Sequence, residues 1–275
     1  MRRPSPQTQG HTPTSALLEA QDLTVSYGDV KALTSASVQV ESKSICGLVG
    51  MNGSGKSTLF KALMGVVPTS GRVFIDGLTP AQARKAGIVS YVPQNEDIDF
   101  TFPVSVRDVV SQGRYGRLGI TRRLTAKDRA AVDMALERVS LTDLADRQIG
   151  NLSGGQRKRA FVARGLAQGA RLLLLDEPFA GVDKRSETML ISLFKELKEG
   201  GAGILISTHD LAHLADLADT AILLRNEVLM TGSPQQVLAP ENIVRAFGMN
   251  PLAPASYTAT NLNPAPSYPQ EPHHA

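Results

Sequence analysis

Glycines, a lysine and hydroxyl side chains are concentrated in one short stretch of the sequence. The residues expected to bind a ligand there are Gly50, Asn52, Gly53, Ser54, Gly55, Lys56, Ser57 and Thr58. Glycine-rich backbone can turn successive N–H groups inward around phosphates, and a following helix adds its positive N-terminal dipole. The Lys56 ammonium can reach the β- and γ-phosphates, and the Ser57 hydroxyl can ligate Mg²⁺. This P-loop pattern predicts a nucleoside triphosphate site rather than a glycine-rich turn with an exposed lysine.

A second group that could do chemistry is a pair of carboxylates, Asp176 and Glu177, which follows four leucines at 172–175. At the end of a buried strand beside the P-loop strand, Asp176 could hold Mg²⁺. Glu177 could polarise an attacking water as a general base. By itself, an acidic pair after a strand more often begins a helix, but the P-loop favours the catalytic interpretation.

Length and composition limit the classes of protein that can carry these groups. The chain has 275 residues, of which 42% are hydrophobic and 20% charged, as in ordinary globular domains. No apolar run approaches the ~20 residues that cross a bilayer, and no secretory signal follows Met1. The single cysteine, Cys46, suits a reducing compartment, and a net charge of +3 gives no reason to expect nucleic acid as a partner.

The elements that must position the site are predicted from the spacing of apolar residues. Continuous apolar runs at 45–49, 172–175 and 203–207 predict buried strands that alternate with helices. Alternation in 18–27 predicts a half-exposed antiparallel layer. One amphipathic helix is predicted from apolar residues at helical spacing, which are Val132, Ala135, Leu136 and Val139. The expected fold class is therefore α/β, with a P-loop NTPase core of mainly parallel sheet, an antiparallel β subdomain and a helical subdomain at about 98–170.

Both ends of the chain are polar and lack an apolar period. Residues 1–15 are predicted to form a disordered tail, and residues 250–275 a proline-rich disordered tail. The folded part is expected to cover residues 16–249. His273 and His274 at the end of the second tail could bind a metal weakly, although an ordinary tail end is the favoured interpretation.

Five motifs occur in a fixed order: the P-loop, Gln94 after a strand, Leu-Ser-Gly-Gly-Gln at 152–156, the Asp-Glu pair, and His209 after a strand. In this order the sequence resembles the ATP-binding cassette (ABC) family from about residue 17 to 247. The resemblance implies an ATPase that uses ATP with Mg²⁺ and works as a homodimer. The residues that would close over the ATP bound to the second copy are Ser153, Gly154, Gly155 and Gln156.

The resemblance also implies roles for four other residues. Tyr27 matches an aromatic that stacks on adenine, although a strand aromatic packed in the core is an alternative. Gln94 matches a glutamine that contacts Mg²⁺ and the attacking water. Asp183 matches the D-loop aspartate, and His209 matches a switch histidine that senses the γ-phosphate, with an ordinary surface or core histidine as the alternative.

The segment 93–110, with 112–116 and 177–183, is similar to the ATPases of manganese, zinc and iron importers. This similarity implies separate transmembrane permease subunits, an extracytoplasmic solute-binding protein, and a peripheral position on the cytoplasmic face of the membrane. Phe100, Phe102 and Pro103 could form a docking patch for a permease, or they could pack locally.

Other members of the family stay open as alternatives. A siderophore or cobalamin importer is the second choice, and the cassette alone does not separate import from export. A DNA-repair ATPase would need long heptad arms between the P-loop and residues 152–156, and only a short helical insert is present.

Overall fold

The computed structural model describes residues 16–94, 103–118 and 123–247, so both predicted tails lie outside it. The strands are β1 (Ala16–Tyr27), β2 (Val30–Glu41), β3 (Ser44–Val49), β4 (Ser70–Ile75), β5 (Val89–Val92), β6 (Leu172–Asp176), β7 (Gly203–Ser207), β8 (Thr220–Leu224) and β9 (Val228–Gly232). The helices are α1 (Lys56–Leu63), α2 (Pro80–Ala86), α3 (Val106–Ser111), α4 (Ala126–Arg138), α5 (Gly154–Gln168), α6 (Lys184–Glu199), α7 (Leu211–Leu217), α8 (Pro234–Val237) and α9 (Pro240–Phe247).

The predicted α/β core is a six-stranded sheet in the order β5-β6-β7-β3-β8-β9. Strands β5, β6, β7, β3 and β8 run parallel to one another, as the continuous apolar runs predicted. Strand β9 pairs antiparallel with β8 at the edge of the sheet. The sequence analysis missed β9, because its residues are only half-buried and give neither a continuous apolar run nor a clear alternation.

The order of the strands corrects one expectation about the site. The strand that ends in Asp176 was expected beside the P-loop strand β3, and this is wrong, because β7 lies between β3 and β6. The register pairs Asp176 with Ser207, and Ser207 with Leu48 on the other side. The carboxyl ends of the three strands therefore meet at one edge, with Ser207 between the two motifs.

The predicted antiparallel layer is confirmed as a three-stranded sheet in the order β2-β1-β4. The residues of β1 that are fully buried include Leu18, Leu23 and Val25, and the alternation is interrupted by a register shift between Ala20 and Leu23. They belong to one apolar cluster with Cys46 and Leu48 of β3. The small sheet is thus packed against the large one beneath the P-loop.

Helices α3, α4 and α5 lie within the segment predicted to be helical. The predicted apolar face of α4 is confirmed, since Val132, Ala135 and Leu136 are all buried. The short turn that follows α3 approaches α5 so closely that a Cβ atom on Gly113 would lie 2.1 Å from the Arg164 carbonyl oxygen. Only glycine can therefore occupy position 113 without moving the turn away from α5. The limits of a separate helical subdomain stay a prediction.

Three helices begin directly at predicted functional motifs, and a motif residue caps each of them. The side chains of Ser153, Asp183 and Asp210 accept hydrogen bonds from the first turns of α5, α6 and α7. Such caps typically contribute about 1 kcal/mol and fix where a helix begins. Within the described residues, none of the helices combines the length and apolar composition that crossing a bilayer requires.

Candidate nucleotide site

The P-loop connects the end of β3 to the start of α1. The Ser54 N–H donates to the Met51 carbonyl over 3.1 Å and closes the turn. Gly55 has a φ of 96°, and a Cβ atom there would lie 2.6 Å from the Ala32 carbonyl oxygen. The loop can therefore wrap beneath strand β2 only with glycine at this position.

A cavity of about 340 Å³ opens at this loop. It brings together residues from four segments: Ala32, Met51, Asn52, Gly53, Gly55, Lys56, Ser57, Thr58, Gln94 and Glu177. Two of the predicted binding residues, Gly50 and Ser54, do not line it. The Ser54 hydroxyl is buried behind the loop and has no hydrogen-bond partner among the described residues.

Lys56 is held in place by the backbone of the loop that precedes it. Its ammonium donates to the carbonyl oxygens of Gly50 at 2.8 Å and Met51 at 3.1 Å. Burial lowers the pKa of Lys56, and the nearby carboxylates of Glu177 and Asp176 partly oppose that shift. A cation fixed in this way is suited to receive a polyphosphate.

The carboxylate of Asp176 accepts hydrogen bonds on both oxygens. Ser57 donates to Oδ2 over 2.7 Å, and Ser207 donates to Oδ1 over 2.6 Å. The side chain of Ser57 is thus joined to the end of β6 across 119 residues of sequence. This donor set consists of a hydroxyl and a carboxylate, the oxygen ligands that Mg²⁺ prefers, so the residues fit that ion.

Glu177 lies at the rim of the cavity in an uncommon backbone conformation, with a φ of 49°. Its N–H donates to the Ser207 hydroxyl over 3.0 Å. Its Oε2 accepts a 3.0 Å hydrogen bond from the Gln94 amide and lies 3.5 Å from Nδ1 of His209. These two distances bring together the three predicted catalytic side chains, Glu177, Gln94 and His209. The left-handed backbone of Glu177 costs about 1–3 kcal/mol, and such strain in a residue other than glycine concentrates at functional sites.

Other predicted residues lie elsewhere. Tyr27 ends β1 with 48% of its surface exposed, which excludes core packing, and it is not among the residues that line the cavity. None of the described residues that line the cavity belongs to 153–156. Instead, Gly155 is buried beside Val182 and Asp183, so the start of α5 contacts the loop before α6.

The sequence analysis missed two residues that position this site. Ser207 is fully buried and bonds to both carboxylate residues. A serine at the end of an otherwise apolar strand was the available signal. Lys158 on α5 donates to the backbone carbonyls of Pro93 and Gln94, and it thereby connects α5 to the segment that carries Gln94.

Phe100 and Phe102 of the expected docking patch lie outside the described residues, and Pro103 is exposed.

The sheet order, the glycine-rich loop and the carboxylates together define a P-loop nucleoside-triphosphate-binding protein. The family model described as ABC transporter matches residues 33–180. The chain is 47% identical over 237 residues to the manganese transport system ATP-binding protein MntA of Synechocystis sp., covering 86% of this chain and 91% of that protein. The chain belongs to the ABC transporter family.

Two other relatives and a solved structure agree with this assignment. The chelated iron transport system membrane protein YfeB of Yersinia pestis is 46% identical, over 84% of this chain and 79% of that protein. The zinc transport system ATP-binding protein TroB of Treponema pallidum is 39% identical, over 86% of this chain and 88% of that protein. The structure of cbiO1 from Clostridium perfringens, part of the ABC transporter complex cbiONQ, superposes with a TM-score of 0.69 at 28% identity, over 84% and 94%.

Proposed function

We propose that this chain is the ATP-hydrolysing subunit of an importer for a divalent metal, manganese, zinc or iron. The observation that carries the ATPase part is the contact of Gln94 with Glu177 at the rim of the cavity that Lys56 and Ser57 line. The names of the relatives, which concern manganese, iron and zinc transport, support the substrate class.

The loop and Lys56 would bind the triphosphate of ATP through backbone N–H groups and one fixed positive charge. Ser57 and Asp176 would hold Mg²⁺, which supplies charge neutralisation to the phosphates. Glu177 would accept a proton from the attacking water while Gln94 orients it. The water oxygen bonds to the γ-phosphorus, and the bond from that phosphorus to the bridging oxygen breaks, which releases ADP and phosphate.

The residues at 153–156 lie outside the cavity of their own chain, so their proposed role requires a second copy. In a head-to-tail homodimer, Ser153 and its neighbours would close over the ATP bound to the partner. Because ATP would then contact both copies, nucleotide binding and dimerisation would strengthen each other. Opening after hydrolysis would move the permease subunits, which would place the chain at the cytoplasmic face of the membrane, with a solute-binding protein on the opposite side.

Uptake of labelled manganese, zinc and iron tests this function. Cells that lack the chain are complemented with the wild type, with Glu177→Gln, or with the exposed control Glu227→Gln. We expect uptake of one of these metals to depend on the wild type and the control and to be lost with Glu177→Gln. If cells that lack the chain take up all three metals as well as complemented cells do, metal import is overturned. If they lose uptake of a ferric siderophore or of cobalamin instead, a siderophore or cobalamin importer is favoured.

A further inference from the structure

A second cluster of polar side chains lies outside the nucleotide cavity, between the first turns of α6 and α7. Glu187, Asp210 and His213 each direct one donor atom to a common point, and these atoms lie within 4.8 Å of one another. Nδ1 of His213 is 2.6 Å from Oε1 of Glu187 and 2.9 Å from Oδ2 of Asp210. None of the three residues belongs to the proposed catalytic machinery.

Nδ1 of His213 is buried, and among the described residues no atom meets it with hydrogen-bond geometry, although the two carboxylate oxygens lie this close. Neighbouring ligands at ~2.1 Å from one metal ion are themselves ~3 Å apart. One nitrogen and two carboxylate oxygens within 4.8 Å of one another are close enough for a single ion to contact all three.

The starts of α6 and α7 position these residues, and the cap of α7 also holds the carboxylate of Asp210. The second carboxylate oxygen of Asp210, Oδ1, caps α7 by accepting a 3.1 Å hydrogen bond from the N–H of His213. Glu187 follows the cap of α6, and its N–H donates to the Asp183 carbonyl over 2.9 Å. Glu187 and His213 thus lie in the first turns of α6 and α7, and Asp210 is the residue that caps α7.

One basic side chain stands beside the cluster. Nζ of Lys184 lies 3.0 Å from Nε2 of His213 and 3.3 Å from Oε2 of Glu187. Its side chain is 74% exposed, so it can swing into solvent. The two carboxylates would then face a divalent cation, while Nε2 carries the imidazole proton.

We propose that Glu187, Asp210 and His213 form a binding site for a divalent transition-metal ion. An imidazole nitrogen with two carboxylates suits Zn²⁺, Mn²⁺, Fe²⁺ or Co²⁺ better than Mg²⁺ or Ca²⁺, which prefer oxygen ligands alone. Helix α6 begins directly after Asp183, and α7 follows His209, so a bound ion links the two segments that carry these residues. Occupancy would hold them together and slow the ATPase cycle.

Binding is measured first, on the full chain with excess Mg²⁺ and without nucleotide. The background carries His273→Gln and His274→Gln, which removes tail histidines as ligands. Co²⁺ serves as the absorbance probe, and Zn²⁺ as its competitor. We expect His213→Gln and Glu187→Gln each to weaken Co²⁺ binding at least about tenfold. The matched control His209→Gln, which removes the neighbouring exposed histidine, should bind as the background does.

Equal Co²⁺ affinity of the background and of both site variants would overturn the site. Thermal unfolding of each variant checks that the chain is folded. Because Glu187→Gln and His213→Gln lie on different helices, a folding failure of one leaves the other to decide.

The second measurement is ATP hydrolysis with Mg²⁺ at increasing Zn²⁺. We expect Zn²⁺ to slow the background chain and to require at least about tenfold higher concentration for His213→Gln, with equal rates when Zn²⁺ is absent. Equal sensitivity of the two proteins would overturn the regulatory effect. If the ion that binds here is the imported metal, the site would let that metal slow its own uptake. This use of the site rests on the proposed transport function, whereas binding of the ion to the site does not rest on it. Metal uptake that is independent of the chain would therefore overturn that use and leave a positive Co²⁺ result standing.

Discussion

The hydroxyl of Ser207 donates a 2.6 Å hydrogen bond to Oδ1 of Asp176, and both residues are buried. The same hydroxyl accepts the N–H of Glu177 over 3.0 Å. The Glu177 N–H also donates to the Ser207 backbone carbonyl over 3.2 Å. The side chain of Ser207 thus orients the proposed Mg²⁺ ligand and helps its own backbone to hold the strained backbone of the proposed general base. Ser207 is a positioning residue, since it lines no part of the described cavity.

Replacing Ser207 by alanine removes both hydrogen bonds of its hydroxyl. We expect ATP hydrolysis to fall about 10–100-fold, as happens when the partners of metal ligands are removed. Ser207→Thr keeps the hydroxyl. A weaker dependence of its ATP hydrolysis on Mg²⁺ concentration than that of Ser207→Ala would separate positioning from packing. The control is Ser111→Ala, a buried serine on α3 outside the cavity. Full activity of Ser207→Ala, measured by phosphate release, would contradict this role.

Lys56 supplies the fixed positive charge at the bottom of the cavity. Its replacement by alanine should reduce hydrolysis at least about 100-fold, because the phosphates lose a preorganised charged donor. Binding of a fluorescent ATP analogue and phosphate release are the two measurements. Lys61→Ala on the exposed side of the same helix is the matched control and should behave as the wild type. Undiminished turnover of Lys56→Ala would remove the P-loop assignment.

Glu177→Gln keeps the size of the side chain and removes its ability to accept a proton. We expect hydrolysis to slow about 10²–10⁴-fold while ATP binding persists. The ATP-bound dimer should therefore accumulate, and gel filtration with ATP would detect it. The exposed variant Glu227→Gln should stay active and should not accumulate the dimer. If Glu177→Gln hydrolysed ATP normally, the general base would lie elsewhere.

Asp128 is a structural carboxylate in the helical layer. Hydrogen bonds from the Thr125 hydroxyl and backbone, and then from Arg114, lower the pKa of Asp128 from 3.8 to about 2. Because the folded pKa lies below the unfolded one, this contribution to stability is complete above about pH 5 and is lost as the pH falls towards 2.

We therefore expect Asp128→Asn to lower the melting temperature by several degrees at pH 7, with a smaller difference from the wild type below pH 4. Urea unfolding at several pH values measures the difference in the free energy of unfolding. Asp143→Asn, an exposed carboxylate, should show little effect at any pH. A difference that is the same at pH 7 and pH 3 would contradict the lowered pKa.

The sequence analysis predicted the elements and most of the candidate site for reasons that are local. The apolar run at 45–49 and the glycines that follow it specify a buried strand and a phosphate-binding loop from neighbouring residues alone. The apolar face of α4 was predicted on equally local grounds, since helical periodicity identified Val132, Ala135 and Leu136. The cap that Ser153 forms depends equally on local sequence, because the residues directly after it begin a helix.

By itself, the sequence determined which side chains could do chemistry and which family the chain resembles, since those features depend on short runs of residues. Only the tertiary structure decided that β7 lies between β3 and β6, which gives Ser207 its position beside Asp176. The same holds for Glu187 and His213, which meet because α6 and α7 begin side by side. Contacts between distant segments depend on strand order and helix packing, and no local pattern encodes them.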